Sequence, residues 1–202
     1  MIYNRVGTFY ICPTPIGNLD DTSNRLIETL KFVDLIYCED TRRASKLTNN
    51  FSIDTQLKSF FLGNEFKRKE EINQHLLEGK NIALISDAGT PLISDPGNEL
   101  VSYLISNEHN IVSIPGPSSI LTALTLSGFE LNEFQFLGFI PKAGKEKEQF
   151  VIKLLNSRMP SVCFTSSKRI LKDLNYFEKI GLDSEIVICR ELTKKFETIY
   201  RG

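Results

Sequence analysis

The chain has 202 residues, 41% of them hydrophobic, with a formal net charge of −1. That length supports one sizeable core or two smaller ones, and so balanced a charge excludes attachment to nucleic acid or membrane through an overall field. No apolar run reaches the roughly 18 residues of a membrane span, and the N-terminus lacks a signal-peptide pattern, so a soluble cytoplasmic protein is expected.

The first strand is expected at Thr8 to Cys12, followed by the turn-rich stretch Pro13-Thr14-Pro15-Ile16-Gly17-Asn18. Caps at Asp20 to Ser23 precede Leu26, Ile27, Leu30 and Val33 at helical spacing. Asp34 to Cys38 reads as a strand, then Glu39-Asp40-Thr41-Arg42-Arg43 opens a helix running to about Asn49. Leu57 to Leu62 reads as a strand and Glu65 to Leu77 as a charged amphipathic helix that Gly79 ends.

Ile82 to Ile85 has the character of a buried strand. The long loop after it, from Ser86 to Gly97, carries Asp87, Gly89, Thr90 and Asp95 before a helix with Leu100, Val101, Leu104 and Ile105. Its two acids suit a cationic or hydroxyl-bearing ligand; as an ordinary connection, Ser94 or Asp95 would instead cap a helix beginning at Pro96. Ile111 to Ile114 is a fifth strand, closed by Pro115-Gly116-Pro117-Ser118-Ser119 and followed by a helix with Ile120, Leu121 and Leu124. Strands alternating with helices five times argue for a mostly parallel sheet covered on both faces. Three strand ends, after Cys12, Ile85 and Ile114, are rich in Pro and Gly. In a parallel sheet all three open on the same edge, which predicts a ligand cleft there.

The pattern changes after about Ser127. Phe134 to Ile140 reads as a strand and Pro141 to Glu148 as a charged turn with Lys142, Lys145 and Lys147. A helix with Phe150, Val151, Leu154 and Leu155 follows, then a strand at Ser161 to Thr165 and a helix at Ile170 to Phe177. Glu185 to Leu192 and Phe196 to Tyr200 are close enough for a hairpin. This half reads as a second α/β domain with a mixed sheet. Cys12, Cys38, Cys163 and Cys189 lie in apolar runs without metal-ligand spacing and read as small buried hydrophobes. His75 and His109 have no candidate partner nearby in sequence, and no metal is expected.

PTPIGNLDD (Pro13 to Asp21), EDTR (Glu39 to Arg42), SDAGTPLISDPG (Ser86 to Gly97), PGPSS (Pro115 to Ser119), LGFIPK (Leu137 to Lys142) and RELTKKFETIYRG (Arg190 to Gly202) occur in that order. Together they resemble the bacterial 16S ribosomal RNA 2′-O-methyltransferases of the tetrapyrrole methylase superfamily, which modify a cytidine in the decoding region. The resemblance covers nearly the whole chain. It implies an α/β, two-domain fold: an N-terminal domain over 1–116 with a mostly parallel five-stranded sheet flanked by helices, and a C-terminal mixed α/β domain over 117–202. Family members continue past the position of Gly202 through a helix and a closing strand, so the second domain is expected to be truncated relative to them. The implied cofactor is S-adenosylmethionine, folded into a cleft between the domains and not held in a Rossmann arrangement; no G-x-G-x-x-G occurs.

By the same resemblance, Pro15, Ile16 and Gly17 line the cleft, and Asp87, Gly89 and Thr90 contact the cofactor. Ser118, Ser119 and Ala123 pack beside it, and Leu192 and Thr193 approach from the second domain. Methyl transfer to a hydroxyl requires alignment of the reactants and removal of a proton. Glu39, Asp40 and Glu65 are the candidate proton acceptors, and Arg42 a candidate phosphate contact. A helix N-terminus with favourable charges is the alternative for Glu39 to Arg42. Lys142, Lys168, Arg169, Lys194 and Lys195, with Lys145, Lys147 and Arg201, make the second domain the expected RNA-facing surface, the alternative being a solvated charged face. The implied partner is 16S rRNA within the 30S subunit, with a homodimer as the expected state.

The chain departs from the family pattern twice within these segments. A His-rich segment ending in Asn-Glu is here Phe61-Leu62-Gly63-Asn64-Glu65, and a Tyr-Glu-Ser-x-His-Arg segment is Phe164-Thr165-Ser166-Ser167-Lys168-Arg169. Thr165 and Lys168 replace an acid and an imidazole, which motivates a second hypothesis: a cofactor-binding remnant without catalysis. A third is a methylase of small molecules of the tetrapyrrole type, against which the PTPIGNL and SDAGTP loops speak.

Overall fold

The structure, a computed structural model, describes residues 6–202. Five short strands, apolar at the centre and more polar at the edges, make the first sheet: β1 (Thr8–Cys12), β2 (Leu35–Cys38), β3 (Gln56–Ser59), β4 (Ile82–Ile85) and β5 (Asn110–Ser113). Every pairing is parallel, in the order β3-β2-β4-β1-β5. All four residues of β2 and of β4 are buried, as central strands covered on both faces require.

The two faces separate by alternate residues. Cys12, Ile36, Cys38, Ala83 and Ile85 join Leu26 and Leu30 of α1 (Asn24–Phe32) and Ala44 and Leu47 of α2 (Thr41–Asn50). Phe9, Leu35, Tyr37, Ile82 and Leu84 join Ile72 and Leu76 of α3 (Glu65–Leu77) and Leu100 and Leu104 of α4 (Asn98–Ser106). Local chemistry sets the helix ends. Ser23 Oγ accepts from the Leu26 amide at 3.1 Å and caps α1, and Asp40 Oδ1 accepts from the Arg42 amide at 2.9 Å and caps α2. The alternative in which Ser94 or Asp95 caps α4 is not what forms: Gly97, with no side chain to offer, occupies the N-cap.

β3 is also shorter than expected. Its ladder ends at Ser59, after which Phe60 is fully buried, whereas Phe61 and Leu62 are exposed in a turn. The apolar run therefore continues past the strand.

The chain divides into two compact units after Ser118; the boundary expected from sequence fell after Gly116. The second unit, Ser119–Gly202, holds α5 (Ser119–Ser127), β6 (Gln135–Phe139), α6 (Gly144–Leu155), β7 (Ser161–Phe164), α7 (Ile170–Lys179), β8 (Val187–Arg190) and β9 (Thr198–Arg201). The mixed sheet is here two separate pairs, β6–β7 parallel and β8–β9 antiparallel. Residues of β7 and β8 line one largely apolar cavity of about 370 Å³. Ile140, Phe150, Val151 and Phe177 form the unit's core.

That core contains an ion pair. Lys147, expected on a charged turn, lies inside α6 with a side chain 6% exposed, and its Nζ meets Asp173 Oδ1 of α7 at 2.8 Å. Arg169 is likewise turned inward. It donates to Pro141 O at 3.0 Å and lies 3.3 Å from Asp173 Oδ1. Both are corrections to the RNA-facing set.

Cys12 and Cys38 are buried and burial pushes both thiols up to about 12, so neither is a nucleophile at neutral pH. His109 has a partner distant in sequence: its Nε2 lies 2.6 Å from Asn73 Oδ1 on α3. Among the described residues no helix is long and apolar enough to cross a membrane.

Candidate active site

The parallel order brings the residues after β1, β2, β4 and β5 to one edge of the first sheet, and backbone contacts fasten three of these loops together. Thr14 and Gly89 exchange both backbone hydrogen bonds, at 2.8 and 2.9 Å. Thr14 Oγ1 donates to Ser86 O at 3.0 Å, and Ser86 Oγ donates to Gly89 O at 2.8 Å. Thr90 Oγ1 donates to Pro117 O at 3.1 Å, which ties the β4 loop to the β5 loop.

Two glycines permit this approach. Gly89 adopts φ +84°, and a Cβ there would lie 3.4 Å from Ile16 Cγ2 and 3.8 Å from Pro117 O. At Gly116 a Cβ would lie 2.4 Å from Pro13 Cγ, a contact the proline ring cannot yield to. Gly116→Ala is therefore expected to separate the β1 and β5 loops. Overpacking of this kind typically destabilises by about 1–3 kcal/mol, and calorimetry against S-adenosylmethionine checks whether ligand affinity falls with stability.

The expected residues Pro15, Ile16, Gly17, Asp87, Gly89, Thr90 and Ser118 all belong to these loops. Arg43 Nη1 meets Asp87 Oδ2 at 2.8 Å, so α2 holds the carboxylate in place. A small cavity of about 130 Å³ lies here, walled by Thr14, Pro15, Arg43, Ser86 and Asp87 among others. The larger cavity of the second unit is lined by a single acid, Glu185.

The four candidates for proton and phosphate chemistry separate clearly. Glu39 is partly buried and pushed up to about 7, first by burial, then by the charges of Asp95 and Asp87 and a hydrogen bond to Asp95; Arg43 opposes these. Burial also raises Asp95, against the hydrogen bond from Glu39. Asp95 and Asp87 therefore stand close enough to Glu39 for their charges to favour its protonated form. Asp40 is corrected as a proton acceptor. Its hydrogen bonds from the Arg42 side chain and amide hold it down at about 2, and it caps α2. Arg42 meets Asp40 Oδ2 at 2.7 Å with a side chain 89% exposed. Glu65 stands in the first turn of α3, with a buried Oε1 that has no hydrogen-bond partner among the described residues.

Asp95's partnership with Glu39, and the contributions of Thr14, Ser86 and Arg43, were not read from the sequence. Each depends on contacts distant along the chain. The only local signal was the acid itself, in a loop after a buried strand.

In the second unit Ser119 opens α5 and Ala123 lies within it. Leu192 and Thr193 occupy the turn between β8 and β9. Thr193 has φ 65°, its amide donates to Glu197 Oε2 at 2.6 Å, and its buried hydroxyl has no partner among the described residues. Lys142 and Lys168 are exposed, Lys194 lies 3.3 Å from Glu191, and the Lys195 ammonium sits 5.6 Å from the Phe196 ring centroid. Among the described residues no group of His, Cys, Asp and Glu is placed to hold a metal ion.

The profile of the family described as tetrapyrrole (corrin/porphyrin) methylases matches residues 8–202. The chain is 42% identical over 198 residues to the ribosomal RNA small subunit methyltransferase I of Bacillus subtilis (strain 168), covering 98% of this chain and 68% of that protein. It is 41% identical over 197 residues to the protein of the same name from Thermotoga maritima, covering 98% and 88%. A solved uroporphyrin-III C-methyl transferase from Thermus thermophilus, complexed with S-adenyl homocysteine, shares the fold: TM-score 0.64 at 14% identity, over 97% of this chain and 83% of that one. By the extent of the profile match and by identity to these relatives, the chain belongs to the tetrapyrrole methylase family, and within it to the methyltransferases named ribosomal RNA small subunit methyltransferase I.

Proposed function

We propose that this protein uses S-adenosylmethionine to methylate the ribose 2′-hydroxyl of a cytidine in the decoding region of 16S rRNA, acting on the 30S subunit as a homodimer. The observation that carries the reading is the braced carboxyl edge of the first sheet in a chain about 40% identical to small-subunit rRNA methyltransferases.

The residues at that edge fit the cofactor. Gly89 leaves a cradle between Ile16 and Pro117 that a side chain would fill, and Asp87 supplies an anion to a cationic ligand. When bound, the cofactor supplies an electrophilic methyl group on a cationic sulfur. Glu39 takes the proton of the attacking hydroxyl. A carboxylate poised near neutrality suits that task, because it is substantially ionised at working pH yet basic enough to accept. Asp95, with Asp87, raises the basicity of Glu39 by its charge. Arg43 anchors Asp87, so that the acids keep their places. Exposed lysines such as Lys142, Lys168, Lys194 and Lys195 supply phosphate contacts, whose affinity falls with added salt.

The test is methyl transfer from labelled S-adenosylmethionine to 30S subunits isolated from a strain lacking the modification, with the label mapped by nuclease digestion. Label on a ribose 2′-oxygen of a decoding-region cytidine is the expected result. Label on a base, or tight cofactor binding with no transfer to any 30S preparation, overturns it; the latter would favour the cofactor-binding remnant.

A further inference from the structure

The turn between β3 and α3 displays apolar side chains without covering them. Phe61 is 47% exposed, Leu62 81% and Phe66 79%. Side chains of this size are ordinarily buried, and their grouping on this turn and the first turn of α3 marks a binding surface. The turn is held rigidly. Asn64 Oδ1 accepts from the Phe61 amide at 2.8 Å, the Asn64 amide donates to Phe61 O at 2.8 Å, and Asn64 Nδ2 donates to Ser59 O at 3.1 Å. The Phe61 ring also lies against Gly63, where a Cβ would come within 2.7 Å of it. Exposure here is therefore an imposed geometry.

The position of the turn gives it a role. The Phe60 amide, just past the end of β3, donates at 2.8 Å to the backbone O of Cys38, the residue just before Glu39. On its other side, the Phe60 ring lies 3.6 Å from the Cβ position of Gly97, in the same loop as Asp95. Phe61 thus follows a residue wedged between the segments carrying Glu39 and Asp95. Basic groups border the aromatic rings. The Lys69 ammonium sits 5.1 Å from the Phe66 ring centroid and 4.9 Å from that of Tyr103, and Lys67 is exposed. Aromatic rings with interleaved cations are the physical makings of a single-stranded nucleic-acid platform, because every base offers a face for stacking and every linkage a negative charge.

We propose that Phe61 and Phe66 stack unpaired bases of the RNA substrate, with Phe61 beside the base of the nucleotide whose 2′-hydroxyl faces Glu39. This rests on the reading of the protein as an rRNA methyltransferase. It places RNA recognition on the first unit, in addition to the lysines of the second. An unpaired target exposes the base faces that such rings recognise, whereas a paired one hides them.

The test compares the full chain with Phe61→Ala, Phe66→Ala and Phe61→Trp. Three quantities are read: S-adenosylmethionine affinity by calorimetry, kcat/KM for 30S methylation, and quenching of a short single-stranded RNA containing 2-aminopurine. Each alanine variant is expected to weaken RNA binding roughly 5- to 150-fold, the range found when a stacking ring is removed. Quenching should fall with it, cofactor affinity should stay unchanged, and Phe61→Trp should retain binding. Unchanged kcat/KM and quenching in both alanine variants overturn the proposal, as does an equal loss in Phe61→Trp. A shift from dimer to monomer in sedimentation with RNA affinity unchanged also overturns it and assigns the patch to contact with a second copy. If the wild type binds cofactor but methylates no 30S subunit, the substrate reading fails, whereas the quenching arm still decides whether these rings stack bases.

Discussion

Glu39→Gln is expected to lower the single-turnover rate of methyl transfer by about 10²–10⁴-fold, the usual contribution of a general base, with S-adenosylmethionine affinity unchanged. The amide preserves shape and hydrogen bonding but cannot accept a proton. The pH profile separates this from mere damage. Glu39 is pushed up to about 7, so it holds its proton below that value and the wild-type rate should climb as pH rises through it. Glu39→Gln should lose that climb. Asp95→Asn removes a charge that raises Glu39, so the climb should move to lower pH with a smaller loss of rate. Retention of full rate by Glu39→Gln, or a climb of the same midpoint in that variant, would remove Glu39 from the chemistry and leave Glu65 as the remaining candidate.

The same shift has a consequence for stability of opposite sign. Between the ordinary glutamate value of 4.5 and about 7 the folded protein holds a proton that the unfolded chain has released. Stability therefore falls as pH rises through that window. Glu39→Gln should accordingly be more resistant to urea than the wild type at pH 8. A substitution that stabilises the fold while abolishing turnover is the pattern expected of a residue kept for function.

Much of the first unit was legible in the sequence for a physical reason. β1 and β4 match their expected bounds because they are short, predominantly apolar and flanked by turn residues, a signal that depends on no distant partner. The convergence of the loops after Cys12, Ile85 and Ile114 followed from parallel topology alone, and the Thr14–Gly89 and Thr90–Pro117 contacts realise it. β3 was less legible. Gln56–Ser59 is a polar edge strand, and the stronger apolar signal of Phe60, Phe61 and Leu62 lies beyond its end. The Glu39–Asp95 pair was hidden altogether as a pair, because it depends on two loops meeting in space. The roles of Asp40 and Lys147 were misread for the same reason. A carboxylate that caps a helix and a lysine that enters a core look, in sequence, like any other charge.

Lys147 shows how much such a misreading conceals, and it carries the other large expected effect. Asp173 is 1% exposed and accepts from three side chains: Lys147 Nζ and Thr165 Oγ1, each at 2.8 Å, and Arg169 Nη2 at 3.3 Å. The Lys147 ammonium also sits 4.4 Å from the Tyr176 ring centroid. Burial pushes the Asp173 carboxyl up, but the hydrogen bonds and positive charges around it outweigh burial and hold it below the ordinary range. Its contribution is therefore present above the unfolded value of 3.8 and is lost as pH falls through the lower folded value. Asp173→Asn leaves a buried ammonium without its counter-charge, and removal of one partner from such a pair typically costs about 3–5 kcal/mol. Urea denaturation should show a loss of that order, and hydrogen exchange should localise it to α6, β7 and α7. Lys147→Met combined with Asp173→Leu should recover much of it, because the expense lies in the orphaned charge more than in the lost attraction. A loss well under that range in Asp173→Asn would mean that water reaches the pair. The network also fixes backbone outside the core. Arg169 grips Pro141 O, and Pro141 directly precedes the exposed Lys142. Thr165, which replaces an acid of the family pattern, serves here as an inward donor to Asp173. That departure is thus accommodated by the core of the second unit.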